Sequence, residues 1–457
     1  VVVTDGVYRA GGRVTAGYAL SNRVTITHPV TVESVNGAAS TFIVGESHPV
    51  TTNGNAAMRC LYMADGGRLH GFTLTNGHTR TSGDSIHDQS GGGALAGGVL
   101  SDCHIYGNSA NYYGGGNCYG TLNDCEISGN AAGYSGGGNY FGTLNNCALS
   151  GNAATDGGGS YQGVLNNCTF SGNAAKANGG GSYRGVLNNC ALAGNTANAD
   201  GGGSYLGILN NCTISDNAAA DQGGGSFGAV LRNCIVYYNT APTAFSNDYS
   251  GTFFYSCTAP LPGGVGNVAG PPQFLDRAAA NYRLAYGSPC TDRGSNTYAF
   301  GTDDLDGLTR ISDGNADGSS IVDMGAYEYD RSIYDTDGDG LHDGAELDTH
   351  GTDPLNPNTD GDPDSDGQEV TICDTDPNDP ASYFHILKIE TTAHGIFDIT
   401  LPCSTARSYY VEWGTNLLDW VIVPGMTNIP GDVSGYLSLT VTNDIGKAFF
   451  RGGVTVP

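Results

Sequence analysis

Positive charge is scarce in this chain. Its 457 residues carry 18 Lys and Arg against 45 Asp and Glu, a formal charge of −27. A surface so poor in cations has little with which to neutralise phosphate, which excludes nucleic acid and anionic membranes as partners. Long apolar runs are also missing, so no transmembrane segment is predicted. Tryptophan (2) and methionine (4) are rare, and charged residues of both signs make up only 14%. With 73 glycines that composition would suit disorder, but 39% of residues are apolar and the glycines recur at a fixed period. A leader peptide is absent as well. The chain opens on Val1-Val2-Val3-Thr4, which reads as a strand, so a secretion signal and further residues are expected upstream.

What is present is a repeat. Cys103, Cys125, Cys147, Cys168, Cys190, Cys212 and Cys234 follow at intervals of 22, 22, 21, 22, 22 and 22 residues, and Cys257 comes 23 later. Residues 157–173 give one clean copy, from Gly157-Gly158-Gly159-Ser160-Tyr161 through Leu165-Asn166-Asn167-Cys168 to Asn173. The period is too short for a helical pair and suits one coil of a β-helix, with coils stacked about 4.8 Å apart. A dozen such coils would measure on the order of 55 Å. In residues 1–90, Val24-Thr25-Ile26, Val30-Thr31-Val32, Phe42-Ile43 and Phe72-Thr73-Leu74 read as strands of longer coils. Stacking predicts two asparagine ladders, one through Asn167, Asn189 and Asn211 and one through Asn173, Asn195 and Asn217. It also predicts an inward column of reduced thiols, because side chains projecting in parallel have poor disulfide geometry. Thirteen cysteines cannot all pair in any case. Cys118 is off this register and takes the place that Tyr140 holds one unit later.

These units resemble right-handed parallel β-helix repeats, especially those of polymorphic outer-membrane proteins, whose Phe-x-x-Asn motif is matched by Phe170-Ser171-Gly172-Asn173. Val3-Thr4-Asp5-Gly6-Val7-Tyr8 is similar to the first coils of large secreted β-helix proteins. Further on, Asn281-Tyr282-Arg283-Leu284, Ser288-Pro289-Cys290, Asp304-Leu305-Asp306-Gly307 and Asp323-Met324-Gly325-Ala326-Tyr327-Glu328 resemble the choice-of-anchor region of bacterial surface proteins. The resemblances imply an exported protein and surface adhesion. Asp313, Asn315 and Asp317 have the alternate spacing of a cation loop, but position twelve is Met324, so a plain turn is the competing reading.

Residues 335–379 hold 15 acids and no Lys or Arg. Asp335, Asp337, Asp339, Leu341, Asp343 and Glu346 occupy positions 1, 3, 5, 7, 9 and 12 of a calcium loop, with Gly340 at the turn. Alternating carboxylates wrap a hard cation in oxygens, and the last glutamate closes the shell. A second loop uses Asn358, Asp360, Asp362, Asp364, Asp366 and Glu369, but Pro363 stands where glycine is expected, which puts the turn in question. The stretch resembles tandem thrombospondin type 3 repeats of bacterial exported proteins. That resemblance implies Ca²⁺ as the bound ion and a connector that stiffens when loaded and loosens without metal.

Residues 384–457 alternate apolar and polar residues, as in Phe397-Asp398-Ile399-Thr400-Leu401 and Leu437-Ser438-Leu439-Thr440-Val441, and read as a small β-sandwich. Trp413 and Trp420 are read as its core anchors, against a sugar-stacking platform. Tyr410-Val411-Glu412-Trp413-Gly414-Thr415-Asn416-Leu417 resembles a C-terminal module of large exported bacterial proteins.

The predicted architecture is therefore all-β. A right-handed parallel β-helix spans 1–258, a β-helix end 259–330, a calcium-binding connector 331–380 and a β-sandwich 381–457. No catalytic residue is assigned. The one break in the repeat that carries reactive side chains is 76–92, with His78, Arg80, Asp84, His87 and Asp88, read as a polar surface loop before a site. The functional expectation is a non-enzymatic, calcium-binding structural or adhesive protein, extracellular or on a bacterial cell surface. Its expected partners are copies of itself in a filament or layer, or a surface glycan or protein. A polysaccharide lyase or hydrolase is the alternative.

Overall fold

The computed structural model describes all residues except 243–245, 394–395, 403–406, 415–420, 424–426, 432–435, 443–448 and 456–457. The described chain falls into two compact units, Val1–Tyr329 and Asp330–Pro457.

The first unit is a parallel β-helix. Each 22-residue unit gives one coil whose short strands join three sheets of eleven strands each. In one coil these are Ser160–Tyr161, Val164–Asn166 and Thr169–Ser171, and Ala174–Ala175 adds to a fourth, six-stranded stack. Register is exact from coil to coil: Leu165 pairs with Leu187, Phe170 with Leu192, and Tyr161 with Tyr183. Two strand pairs depart from the parallel rule, the antiparallel Arg13–Val14 with Ser21–Ile26 near the start and Phe274–Asp276 with Asn281–Leu284 after the last coil. Inward leucines and isoleucines stack with the cysteines into one continuous core.

The corners explain the composition. Gly157 has φ +64°, and a Cβ on Gly158 or Gly159 would strike the carbonyls of the next coil at 2.4–2.6 Å. The triple glycine thus combines a left-handed turn with backbones too close for side chains. The Cys column is buried and free of disulfides among the described residues. From Cys103 to Cys234 each thiol of the column donates to the carbonyl two residues back, at 3.2 Å for Cys168 to Asn166 and Cys190 to Asn188, while Cys257 donates to Gly270 O at 3.1 Å.

Of the two expected ladders, one is continuous. Asn130, Asn152, Asn173, Asn195, Asn217 and Asn239 are buried, and each Nδ2 donates to the next Oδ1 at 2.8–3.0 Å. The backbone N–H of each donates to the same oxygen. The other column is a partial correction. Its exposed start does ladder, Asn167 donating to Asn146 at 3.2 Å and Asn146 to Asp124 at 3.0 Å, but it stops before Asn189, whose amide is taken by residues 300–303. The neighbouring column is the longer one: Asn145, Asn166, Asn188 and Asn210 each donate to the preceding coil at 2.8–2.9 Å. Asn189 donates to the carbonyls of Phe300 and Asp303, and Asn211 accepts from Phe300 N–H.

This corner is where residues 295–328 close over the solenoid. Arg310 is wholly buried and pairs with buried Glu328 at 2.8 Å, while its Nη2 donates to Asn189 Oδ1 at 2.6 Å. Removing one partner leaves the other charged and buried. Arg310→Met should therefore cost about 3–5 kcal/mol, whereas replacing both by apolar residues should cost far less. Denaturant melts of the two variants check this.

In the second unit two short helical turns follow the acidic loops. One sheet joins Lys388–Ala393, Ile396–Pro402 and Tyr436–Thr442, and the other joins Ser408–Gly414 with Val421–Ile422, Ile429–Pro430 and Phe449–Thr455. Ile399, Leu401, Tyr409, Val411 and Val441 form the core between them. Trp420 and Thr415-Asn416-Leu417 lie outside the described residues, as does the Trp413 side chain.

Candidate metal centres

The two acidic loops repeat one hydrogen-bond skeleton at an offset of 23 residues. In the first, Asp335 Oδ1 accepts from Gly338 N–H (2.8 Å), Asp337 Oδ1 from Asp339 N–H (3.2 Å) and Asp339 Oδ1 from Leu341 N–H (2.8 Å). In the second, Asn358 Oδ1 accepts from Gly361 N–H (2.7 Å), Asp360 Oδ1 from Asp362 N–H (3.1 Å) and Asp362 Oδ1 from Asp364 N–H (2.8 Å). Asp337, Asp360 and Asp362 thus spend one oxygen on holding the loop and keep the other for the interior, while both oxygens of Asp335 and of Asp339 accept backbone N–H groups.

The loop oxygens converge. Carboxylate oxygens of Asp335, Asp337 and Asp339 lie within 4.8 Å of one another, as do those of Asp360, Asp362 and Glu369. Asp337 Oδ2, Glu346 Oε2, Asp360 Oδ2 and Asp362 Oδ2 are buried without a hydrogen-bond partner. Glu346 and Glu369 are fully buried. Buried carboxylate oxygens with no donor are costly unless a cation faces them. Burial, then repulsion from neighbouring carboxylates, pushes Asp337 up to about 6, Glu346 up to about 8 and Glu369 up to about 7. The all-oxygen donor set, with no nitrogen or sulfur, fits a hard divalent ion such as Ca²⁺. Asp335, Asp337, Asp339 and Glu346 would hold it in the first loop, and Asn358, Asp360, Asp362 and Glu369 in the second.

Three of the expected ligands have other work. Both oxygens of Asp343 take Thr336, its N–H and Oγ1 at 2.7 Å each. Asp366 does the same with Thr359, at 2.8 and 2.7 Å. These buried pairs clamp the start of each loop to the helical turn behind it. The Thr seven residues ahead of the Asp, at the second position of both loops, is the signal that sequence reading passed over. Asp364 accepts from Phe384 N–H at 2.9 Å, which ties the second loop to the core of the sandwich. Leu341 is buried, and its expected contribution is a main-chain carbonyl.

Pro363 does not prevent the second loop from forming. Gly340 lies at φ +98° and its N–H donates to Asp335 Oδ2 at 2.9 Å, a bond that proline cannot make. The second loop replaces it in reverse. Asn358 Nδ2 donates to Asp362 O, the carbonyl just before Pro363, at 2.6 Å. Asparagine at position 1 and proline at position 6 are therefore a matched pair.

At Asp313–Asp317 the carboxylates accept from the N–H groups of Asp317, Gly318 and Ser319. No glutamate closes that loop, because the residue at its twelfth place, Met324, is buried in the core. Its bonds are those of a turn. The 76–92 break brings Asp84 and His87 together, with His87 Nδ1 3.1 Å from Asp84 Oδ1. His78 is buried, and Asp88 accepts from Ala19, Leu20 and Asp84 N–H. Asp84 and His87 are left at the surface.

The bacterial TSP3 repeat family matches residues 335–357 and again 359–380. The chain thus carries two repeats of a calcium-binding type, laid over the loops described above. Among solved structures, pectate lyase Pel9A is similar at 13% identity, with 72% of this chain and 86% of that chain covered and a TM-score of 0.42. A likeness that distant does not speak to activity. No curated protein matches. Among the described residues no helix is long and apolar enough to cross a membrane.

The metal-free loops have a pH dependence of definite sign. Carboxyls whose folded pKa is raised bind more protons folded than unfolded. Their contribution to stability is full below about pH 4 and is lost as pH rises through 6 to 8. With chelator present, residues 335–380 should therefore become less ordered between pH 5 and 8. With calcium they should become more ordered, since the ion replaces the protons. Circular dichroism melts across that range, with and without chelator, distinguish the two slopes.

Proposed function

We propose that the protein is a non-enzymatic, extracellular structural or adhesive component in which Ca²⁺ orders the segment that follows a long β-helix. The observation that carries this is the set of buried, donorless carboxylate oxygens in both TSP3 repeats. Such loops suit a calcium-rich exterior, where sites of micromolar or weaker affinity stay filled. The smooth repeat supports a scaffold. From 91 to 257 it has only His104, Lys176, Arg184 and Arg232 as basic side chains, and its corners are mostly triple glycines. The resemblances to polymorphic outer-membrane and choice-of-anchor proteins favour a bacterial cell surface. Self-association into a filament or layer is the assembly this reading allows.

Electron microscopy of the native material tests the assembly: uniform filaments or sheets with a fixed subunit repeat support it, and dispersed single particles in calcium count against it. Depolymerisation of a panel of uronate and neutral polysaccharides tests the enzymatic alternative. Chain shortening abolished by His87→Ala would replace the present reading with a lyase or hydrolase.

A further inference from the structure

One cleft on the β-helix is built with more care than a surface loop requires. It has a volume of about 790 Å³, and its lining includes Tyr62, Asp65, Asp84, His87, Leu95 and Tyr119. That is the size of a ligand pocket. Its wall is the break in the repeat, and that wall is fixed from behind. Arg59, wholly buried, donates to the carbonyls of His87 (2.6 Å), Ser90 (2.6 Å) and Gly91 (2.8 Å) and to Asn22 Oδ1 (2.8 Å). Asp88, also buried, holds the N–H groups of Ala19, Leu20 and Asp84.

His87 is fixed on each side. Its ring stacks on Tyr18 at 3.7 Å and 6°. Its Nδ1 lies 3.1 Å from Asp84 Oδ1, which also accepts its backbone N–H at 2.8 Å. Nε2 is the polar atom left without a hydrogen-bond partner among the described residues. Burying an arginine to hold a loop is expensive, and the expense is typical of a preorganised site.

The lining states the chemistry. Two carboxylates and one imidazole offer hydrogen bonds, and two phenol rings and Leu95 offer apolar faces. No Lys or Arg lines the cleft, so nothing there would offset a polyanion. Tyr119 sits at the near end of an exposed row that continues to Phe141 on the next coil, with ring centroids 6.2 Å apart. A polymer lying along the solenoid would meet both. The stacked column Tyr161, Tyr183, Tyr205, Phe227 and Tyr249, by contrast, covers its ring faces with its own neighbours at 4.8–5.3 Å.

We propose that this cleft binds a neutral carbohydrate chain, with Asp65, Asp84 and His87 Nε2 engaging sugar hydroxyls and Tyr62 and Tyr119 packing on the sugar's C–H faces. The site is independent of the calcium loops and of whether the protein assembles. It gives the solenoid a ligand class opposite in charge preference to a uronate.

The test is calorimetry on the calcium-loaded full chain. The probes are hexasaccharides of glucose, mannose and xylose in their common linkages, with hexagalacturonate of the same length. At least one neutral series should bind, with the galacturonate at least tenfold weaker. His87→Ala and Tyr119→Ala should each weaken that binding about tenfold, the loss of one good contact. Both side chains reach solvent, so the variants should melt as the parent does. If His87→Ala melts early, the exposed Asp65→Asn takes its place and the same tenfold loss is expected. Galacturonate binding as tightly as the neutral chains, no neutral chain binding at millimolar concentration, or unchanged affinity in the correctly folded variants would each overturn the proposal.

Discussion

Chelating calcium should open residues 335–380 to protease about tenfold faster or more, while residues 1–329 keep their protection. The reason is the composition of what is buried. In most domains burial removes apolar surface from water. In this segment the residues closest to complete burial are Asp343, Glu346, Asp366 and Glu369. Without a cation that interior consists of like charges and orphaned oxygens, and a loss of about 1.4 kcal/mol already raises the open population tenfold. The solenoid has no such dependence, because its interior is Leu, Ile and Cys. Glu346→Gln and Glu369→Gln should each weaken calcium at their own loop about a hundredfold, since the buried closing charge is lost. The two loops also touch: Gly367 N–H in the second donates to Asp339 Oδ2 in the first. A Cβ on Gly367 would lie 2.4 Å from the Asp339 carbonyl. Gly367→Ala should therefore disturb the first loop as well as its own. Limited proteolysis followed by mass spectrometry reads all of these. Identical cleavage with and without chelator would refute the calcium-ordered segment.

Asn195→Leu should be the most damaging single substitution in the solenoid that changes no charge. Asn195 Oδ1 accepts from both the N–H and Nδ2 of Asn173, and its Nδ2 donates to Asn217 Oδ1 and Phe170 O. Leucine fills the space and satisfies none of these groups. Each buried group left unpaired costs about 1–3 kcal/mol, so a loss of about 4 kcal/mol is expected after the apolar gain is set against it. Because coils contact only their neighbours, the damage should also divide the unfolding transition at that coil. Asn145→Leu, in the half-buried ladder, should cost about 1 kcal/mol, since water can replace the lost partner. Differential scanning calorimetry of the pair decides it. Equal, small losses would show that the buried ladder is not a principal support.

The coil period and the inward thiols were legible because a column of cysteines repeats with almost no drift. The ladders were legible only in part. Asn166 and Asn167 are adjacent and identical in type, and both stack on the coil before, but the Asn167 column ends where Asn189 turns to the carbonyls of Phe300 and Asp303. That diversion is made by a segment more than a hundred residues further on and leaves no mark on the repeat. The calcium loops show a similar division. Spacing revealed every acid, but Asp343 and Asp366 proved to be clamps because threonines in the same loops reach them first. Asn358 was visible as a weaker ligand, yet its pairing with Pro363 needed the geometry of the missing N–H. The cleft was hardest to see. Arg59 lies 28 residues before His87, and nothing local links them until the coils stack.

The most direct measurement is a calcium titration of the chelated, full-length protein by isothermal calorimetry. Two ions per chain should bind, with one weakened about a hundredfold in Glu346→Gln, the other in Glu369→Gln and both in the double variant. Absence of calcium uptake at millimolar concentration, or two ions bound by the double variant as tightly as by the parent, would contradict the assignment.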